Sequence, residues 1–145
     1  VPVSVSSPPT DMAPPPTPHP LLATRTDLAR RSTDGWLAEA DPAIQDECLR
    51  TATDEAIGLL ARRYVLPLVS WSTDVVDRTC AIGKWKILCR TGTSPREVEL
   101  LRTEYTDALA FFRGVAAGDS TPNIVDSSAL TGRRAHVRSD PRRGW

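Results

Sequence analysis

The sequence predicts an all-α protein: a small bundle of about four helices with extended arms at both ends. Three observations predict it. Apolar residues recur at three- and four-residue steps through much of residues 24–118, the spacing of one helical face. Between Leu68 and Thr121 the only proline is Pro95, which sits where a helix should begin. Eight of the thirteen prolines lie in residues 1–20, and periodicity stops after Gly118. The chain divides accordingly into a proline-rich extended arm (1–23), a helical domain (24–118) and a basic extended C-terminal arm (119–145).

Thr24 or Thr26 can cap a short first helix through Leu28 and Arg31, broken by Gly35, with Trp36 and Leu37 as an apolar plug. Asp41-Pro42 opens the second helix: aspartate accepts from free amides, and proline suits a first turn. Its apolar residues are Ile44, Cys48, Ala52, Ala56, Leu59 and Leu60, and it should end near Tyr64. Tyr64–Val69 reads as an extended apolar connector; a short strand is possible, but Pro67 demotes it. Ser72 or Thr73 caps the third helix, whose stripe is Val75, Ile82, Trp85 and Cys89, with Leu88 beside it and Gly92 at its end. Trp71, just before it, is expected to staple onto the core.

The fourth helix has the strongest local signal. Ser94-Pro95-Arg96-Glu97 matches a capping box with proline just inside the start. Val98, Leu101, Tyr105, Ala108, Phe112 and Val115 then repeat over about five turns to Gly118. The third and fourth helices are expected to form an antiparallel hairpin.

Composition narrows the function. Eighteen basic and eighteen acidic residues cancel, so the whole chain has no long-range pull toward nucleic acid or acidic membranes. No run of about 18 apolar residues is present, so no membrane span is expected, and the first residues do not read as a secretory signal. Cys48, Cys80 and Cys89 lack metal or redox spacing and are expected to be buried, reduced thiols. Cys80 and Cys89, nine residues apart on one helix, face opposite ways and cannot pair. Only His19 and His136 are present, both in the arms, so no core histidine is expected as a general base. No phosphate loop, nucleophile elbow or metal-ligand motif occurs, and no catalytic residue, metal or cofactor is expected. Asp54-Glu55 and Glu97-Glu99 read as solvated helix faces.

Two sets of residues are candidates for contact with partners. Arg133, Arg134, Arg138, Arg142, Arg143 and Trp145 make the C-terminal arm basic and aromatic, suited to phosphates or acidic protein surfaces. Lys84 and Lys86 flank Trp85 and could touch a DNA backbone or a neighbouring subunit. The blander expectation there is that Trp85 is core and both lysines point outward.

Thr53–Leu68, ending in Arg63-Tyr64-Val65-Leu66-Pro67-Leu68, resembles a segment of small structural proteins of Mu-like tailed phages, in which an acidic, alanine-rich helix runs into an "-R-Y-x-L-P-L-" connector. Phe112–Gly118 is similar to that family's "-L-x-x-V/I-A-x-G-" ending, and Asp27-Leu28-Ala29 to its early segment. The resemblance covers roughly residues 24–120; the proline-rich front departs from it and the basic end is only loosely similar. It implies a head–tail connector, also called an adaptor or head-completion protein. Such a protein forms a homo-oligomeric ring, commonly of twelve copies, between the portal and the neck or tail. It lets DNA pass without sequence specificity, has no catalytic activity, is made in the host bacterial cytoplasm and resides in the virion neck. The rival expectations are a stopper or terminator of the same neck, and a small nucleic-acid-binding regulator using the arginine arm.

Overall fold

The computed structural model describes residues 18–32, 34–92 and 96–131, without the side chains of Leu130 and Thr131. In chain order the elements are α1 (Arg25–Arg31), α2 (Gly35–Ala38), α3 (Pro42–Leu60), β1 (Leu68–Trp71), α4 (Thr73–Thr91), α5 (Val98–Ala117), β2 (Ile124–Asp126) and α6 (Ser128–Thr131). The all-α expectation holds, with one two-stranded ribbon added.

The helix starts follow local chemistry. Thr24 closes a full capping box with Asp27 at the head of α1, and the Asp41 carboxylate accepts from the Ala43 N–H ahead of Pro42. Ser72 occupies the cap position of α4, but its hydroxyl makes no capping bond. Ser94 and Pro95, half of the expected fourth capping box, lie outside the described residues; α5 has Glu97 at its cap position, without a side-chain capping bond. Gly92 and Gly118 end α4 and α5 in the left-handed region, at φ 73° and 89°, where other residues are strained. Gly35 starts α2 rather than simply breaking a helix.

The three long helices run up, down and up. Side-chain pairs advance along α4 as they step back along α5, from Arg78 on Phe111 to Lys84 with Glu104. Pairs between α3 and α5 advance together, from Glu55 with Tyr105 to Arg63 with Val115. The expected antiparallel hairpin of α4 and α5 is therefore present.

Two apolar clusters form the core. The larger joins Leu22, Ala52, Ala56, Ile57, Leu60, Leu68, Val75, Ile82, Ala108, Phe112 and Val115. The smaller joins Ala23, Leu28, Leu37, Cys48, Leu49, Cys80 and Ile87. Helix α4 belongs to both, with Val75 and Ile82 on one side and Cys80 and Ile87 on the other. This corrects the expected single stripe: Trp85 is half-buried and Cys89 is exposed, while Thr79, Cys80, Gly83 and Ile87 are buried. A helix buried on two faces does not read as a single apolar stripe.

Gly83 of α4 packs directly against the Leu49 side chain of α3. A Cβ there would lie 2.8 Å from Leu49 Cδ2, and Leu49 is fully buried. Gly58, in contrast, sits in α3 with open space around its Cα.

Strand β1 begins directly after Pro67, where the sequence disfavours a strand, and the Leu66–Pro67 peptide bond is cis. Proline is tolerated because it stands outside the paired residues. Its partner β2 lies beyond Gly118, in the stretch read as irregular, and is too short to show alternation. The register steps from Leu68↔Asp126 to Ser70↔Val125, leaving Val69 as an extra residue. Leu68 is buried and Trp71 packs on the same cluster, although strict alternation would put residues three apart on opposite faces. The bulge at Val69 reconciles the two.

Residues 18–23, assigned by sequence to the front arm, lie against α3 and β1. The Leu22 N–H donates to Thr53 Oγ1 (3.0 Å), Trp71 Nε1–H donates to the Leu22 carbonyl (3.1 Å), and Leu22 and Ala23 are buried. The expected role of Trp71 as a staple is thus met.

Gly83→Val should lower unfolding stability by about 3 kcal/mol through overpacking against Leu49. Gly58→Ala should raise it by about 1 kcal/mol, because alanine is the better helix former and meets nothing. Urea unfolding followed by circular dichroism measures both.

Candidate interaction surfaces

Lys84 and Lys86 project from α4 toward different neighbours. Lys84 Nζ lies 3.7 Å from Glu104 of α5, and its side chain is only 15% exposed. Lys86 Nζ lies 3.3 Å from Glu55 of α3 and 5.4 Å from the Tyr105 ring centroid. The Tyr105 hydroxyl donates to the second Glu55 oxygen (3.3 Å). Trp85 stacks on Tyr105 with centroids 5.9 Å apart, and Arg102 lies over the Trp85 ring. Two expectations are corrected. The lysines do not simply point outward, and Glu55 is half-buried in a charged and aromatic network rather than on a solvated face. Burial pushes the Lys86 ammonium down, but Glu55 and Tyr105 outweigh it and raise it above its ordinary value. The network joins the three long helices. Because both lysines are paired within the chain, their charge for an outside phosphate is reduced.

The β1–β2 ribbon carries a different surface. Val65, Leu66, Val69 and Val125 are 52%, 39%, 47% and 37% exposed, four of the five large apolar side chains left open among the described residues; the fifth is Leu100. Beside them is a groove of about 650 Å³ lined by Pro18, His19, Pro20, Asp54, Ile57, Leu66, Pro67 and Leu68.

His19 helps to build that groove. Its Nε2 accepts from the Leu68 N–H (3.0 Å), its Nδ1 lies 2.6 Å from the Pro20 carbonyl as donor, and its ring packs on Trp71 at 5.8 Å. Sequence placed this histidine in an arm; the structure makes it part of the fold. Across the ribbon from Leu68, Asp126 accepts from the Val65 N–H (2.7 Å), the Ser128 N–H (3.1 Å) and the Ser128 hydroxyl. Partial burial pushes the Asp126 carboxyl up, but these hydrogen bonds outweigh it and hold it below the ordinary value. Arg63 ties the preceding turn to α5, donating to the carbonyls of Val115 (2.9 Å) and Ser120 (3.1 Å).

The cysteines separate by environment. Burial, well ahead of the charges around it, pushes the Cys80 thiol up to about 12, and burial likewise raises Cys48. Both are inert small hydrophobes, as expected. Cys89 is exposed, which corrects the expectation for that residue.

Arg133, Arg134, Arg138, Arg142, Arg143 and Trp145 lie outside the described residues. Their charge still defines the body they leave behind. Residues 132–145 hold five arginines and Asp140, a net charge of plus four. Residues 18–131 hold 13 basic and 16 acidic side chains, a net charge of minus three. Among the described residues, no cluster of three or more histidine, cysteine or acidic side chains could hold a metal, and no helix is long and apolar enough to cross a membrane.

The acidic helical body, with exposed apolar side chains at and just before its ribbon, defines a small, mostly helical protein. Residues 20–139 match the family model described as bacteriophage Mu, Gp36. The chain is also 27% identical over 123 residues to gene product J of Escherichia phage Mu, covering 81% of this chain and 82% of that protein. The chain therefore belongs to the bacteriophage Mu Gp36 family, and the Mu-like phage resemblance of its connector holds.

Two outcomes check the electrostatics and the burial. Asp126 contributes stability that is present above the ordinary carboxylate range and lost as pH falls through its lowered folded value. Asp126→Asn should cost about 1 kcal/mol at neutral pH and flatten the acid limb of a stability–pH profile, read by urea midpoints. Under native conditions a thiol reagent should titrate Cys89 quickly; Cys48 and Cys80 should react only on unfolding.

Proposed function

We propose that the protein is a head–tail adaptor of a tailed bacteriophage. Copies would assemble into a ring between the portal and the neck or tail, around the channel through which DNA passes. It would act without catalysis and reside in the virion neck. The observation that carries this reading is the family match over residues 20–139, which takes in the whole helical body and runs into the basic arm. The charge division supports it: an acidic body and an arginine-rich arm are complementary from one copy to the next, and closed cyclic symmetry repeats each such contact. The arm, with Arg142, Arg143 and Trp145, would dock on the portal or on a neighbouring copy. The internal pairing of Lys84 and Lys86 favours this assembly role over that of a free DNA-binding regulator.

Deleting residues 133–145 should leave the far-UV spectrum and unfolding midpoint of the body unchanged and should block neck assembly. Electron microscopy of particles made with the truncated protein reads this. Heads without tails are expected; particles with normally attached tails would overturn the role given to the arm.

A further inference from the structure

Residues 18–23 lie as a strap over α3 and β1, and His19 is the only titratable side chain among them. Its two ring nitrogens face opposite kinds of partner. Nδ1 lies 2.6 Å from the Pro20 carbonyl, which can only accept. Nε2 lies 3.0 Å from the Leu68 amide nitrogen, which can only donate. Together the two partners require a neutral ring with its proton on Nδ1. A protonated ring carries hydrogen on both nitrogens and would set an N–H against the Leu68 N–H. We propose that His19 is an acid-released latch: neutral, it holds residues 18–20 against β1; protonated, it lets them lift away and opens the groove that they line.

The rest of the strap is fastened by groups that do not titrate. The Leu22 N–H donates to Thr53 Oγ1, the Trp71 indole N–H donates to the Leu22 carbonyl, and Leu22 and Ala23 are buried. Opening therefore stops short of Leu22. Pro18, His19 and Pro20 line the groove together with Ile57 and Leu68, which are buried. Lifting the first three widens the groove and bares apolar surface of the other two.

The surrounding charges leave the decision to the Leu68 bond. His19 is half-buried, so water reaches its ring. From α3, Asp54 lines the same groove and offers an imidazolium a carboxylate, but its side chain is 66% exposed and water screens its pull. Arg50, also on α3, donates to the His19 carbonyl and lies 3.9 Å from Asp54. It opposes that attraction and steadies the closed form. Leu66 and Pro67 before β1, and Leu68 and Trp71 within it, carry no charge. From β2, Asp126 stands opposite Leu68 with its carboxylate engaged by Val65 and Ser128. The latch is closed where histidine is neutral and is lost as pH falls through the range, about 5 to 8, in which histidine changes charge. It goes beyond the ring reading and does not depend on it.

The test follows the Leu68 amide by NMR in the full chain carrying His136→Gln, so that the one imidazole titration observed belongs to His19. From about pH 8 to about pH 5 the Leu68 amide shift should move with the same midpoint as the His19 ring, and its protection from hydrogen exchange should fall about tenfold or more. The Leu22 amide should keep its protection. His19→Gln supplies a side-chain oxygen that accepts without titrating, so its Leu68 amide should stay protected at both ends of the range. His19→Ala should leave that amide open at both ends. Leu68 protection that does not change through the His19 step would overturn the latch. So would an equal fall in His19→Gln, or an equal loss at Leu22, which would mark a general loosening of the body.

Discussion

The close approach of α3 and α4 is the constraint on which the rest of the fold depends. Gly83 has no side chain, so Leu49 can fill the space over it, and α4 is drawn in until it is buried on two sides. One side meets α5 and the ribbon, the other meets α1 and α2. A bulky residue at this point would press on the buried Leu49 side chain. The same closeness brings Glu55, Lys86 and Tyr105 within reach of one another, so the charged network at the seam is a product of the packing. Exposed ion pairs such as Arg25 with Asp46 follow from the arrangement and add little to it.

How much of this was legible depended on how many faces an element buries. Helices α3 and α5 present one broad apolar face each, and Ala52, Ala56, Leu60, Leu101, Ala108, Phe112 and Val115 all proved to be buried. Their starts and stops were equally legible at Asp41-Pro42 and Gly118, because proline, aspartate and glycine act there through their own backbones. Helix α4 was harder: with two buried sides it offered Trp85 and Cys89 as apparent core and concealed Gly83 and Ile87. The ribbon was harder still. A bulge at Val69 breaks the alternation of β1, and β2 lies more than fifty residues away. Pairing at that separation leaves no local pattern.

The interaction surfaces divide in the same way. The arginine arm is visible in composition alone. The apolar ribbon is not, because exposed valines look like core until a structure leaves them uncovered. His19 shows the opposite case, a polar residue among prolines whose role appeared only when the Leu68 N–H was found to have it as partner. Both surfaces belong to a chain of the bacteriophage Mu Gp36 family.

Arg63 has a mechanical consequence. Its guanidinium holds the last turn of α5 and the Ser120 carbonyl, while Val65, two residues on, is bonded to Asp126 and Ser127. Tension applied to the chain beyond residue 131 would pass through α6 into β2, where the ladder and the Asp126 bonds resist it, and then to Arg63 at the end of α3. The load would reach the bundle near the point where three elements converge, rather than peel α5 away from its free end.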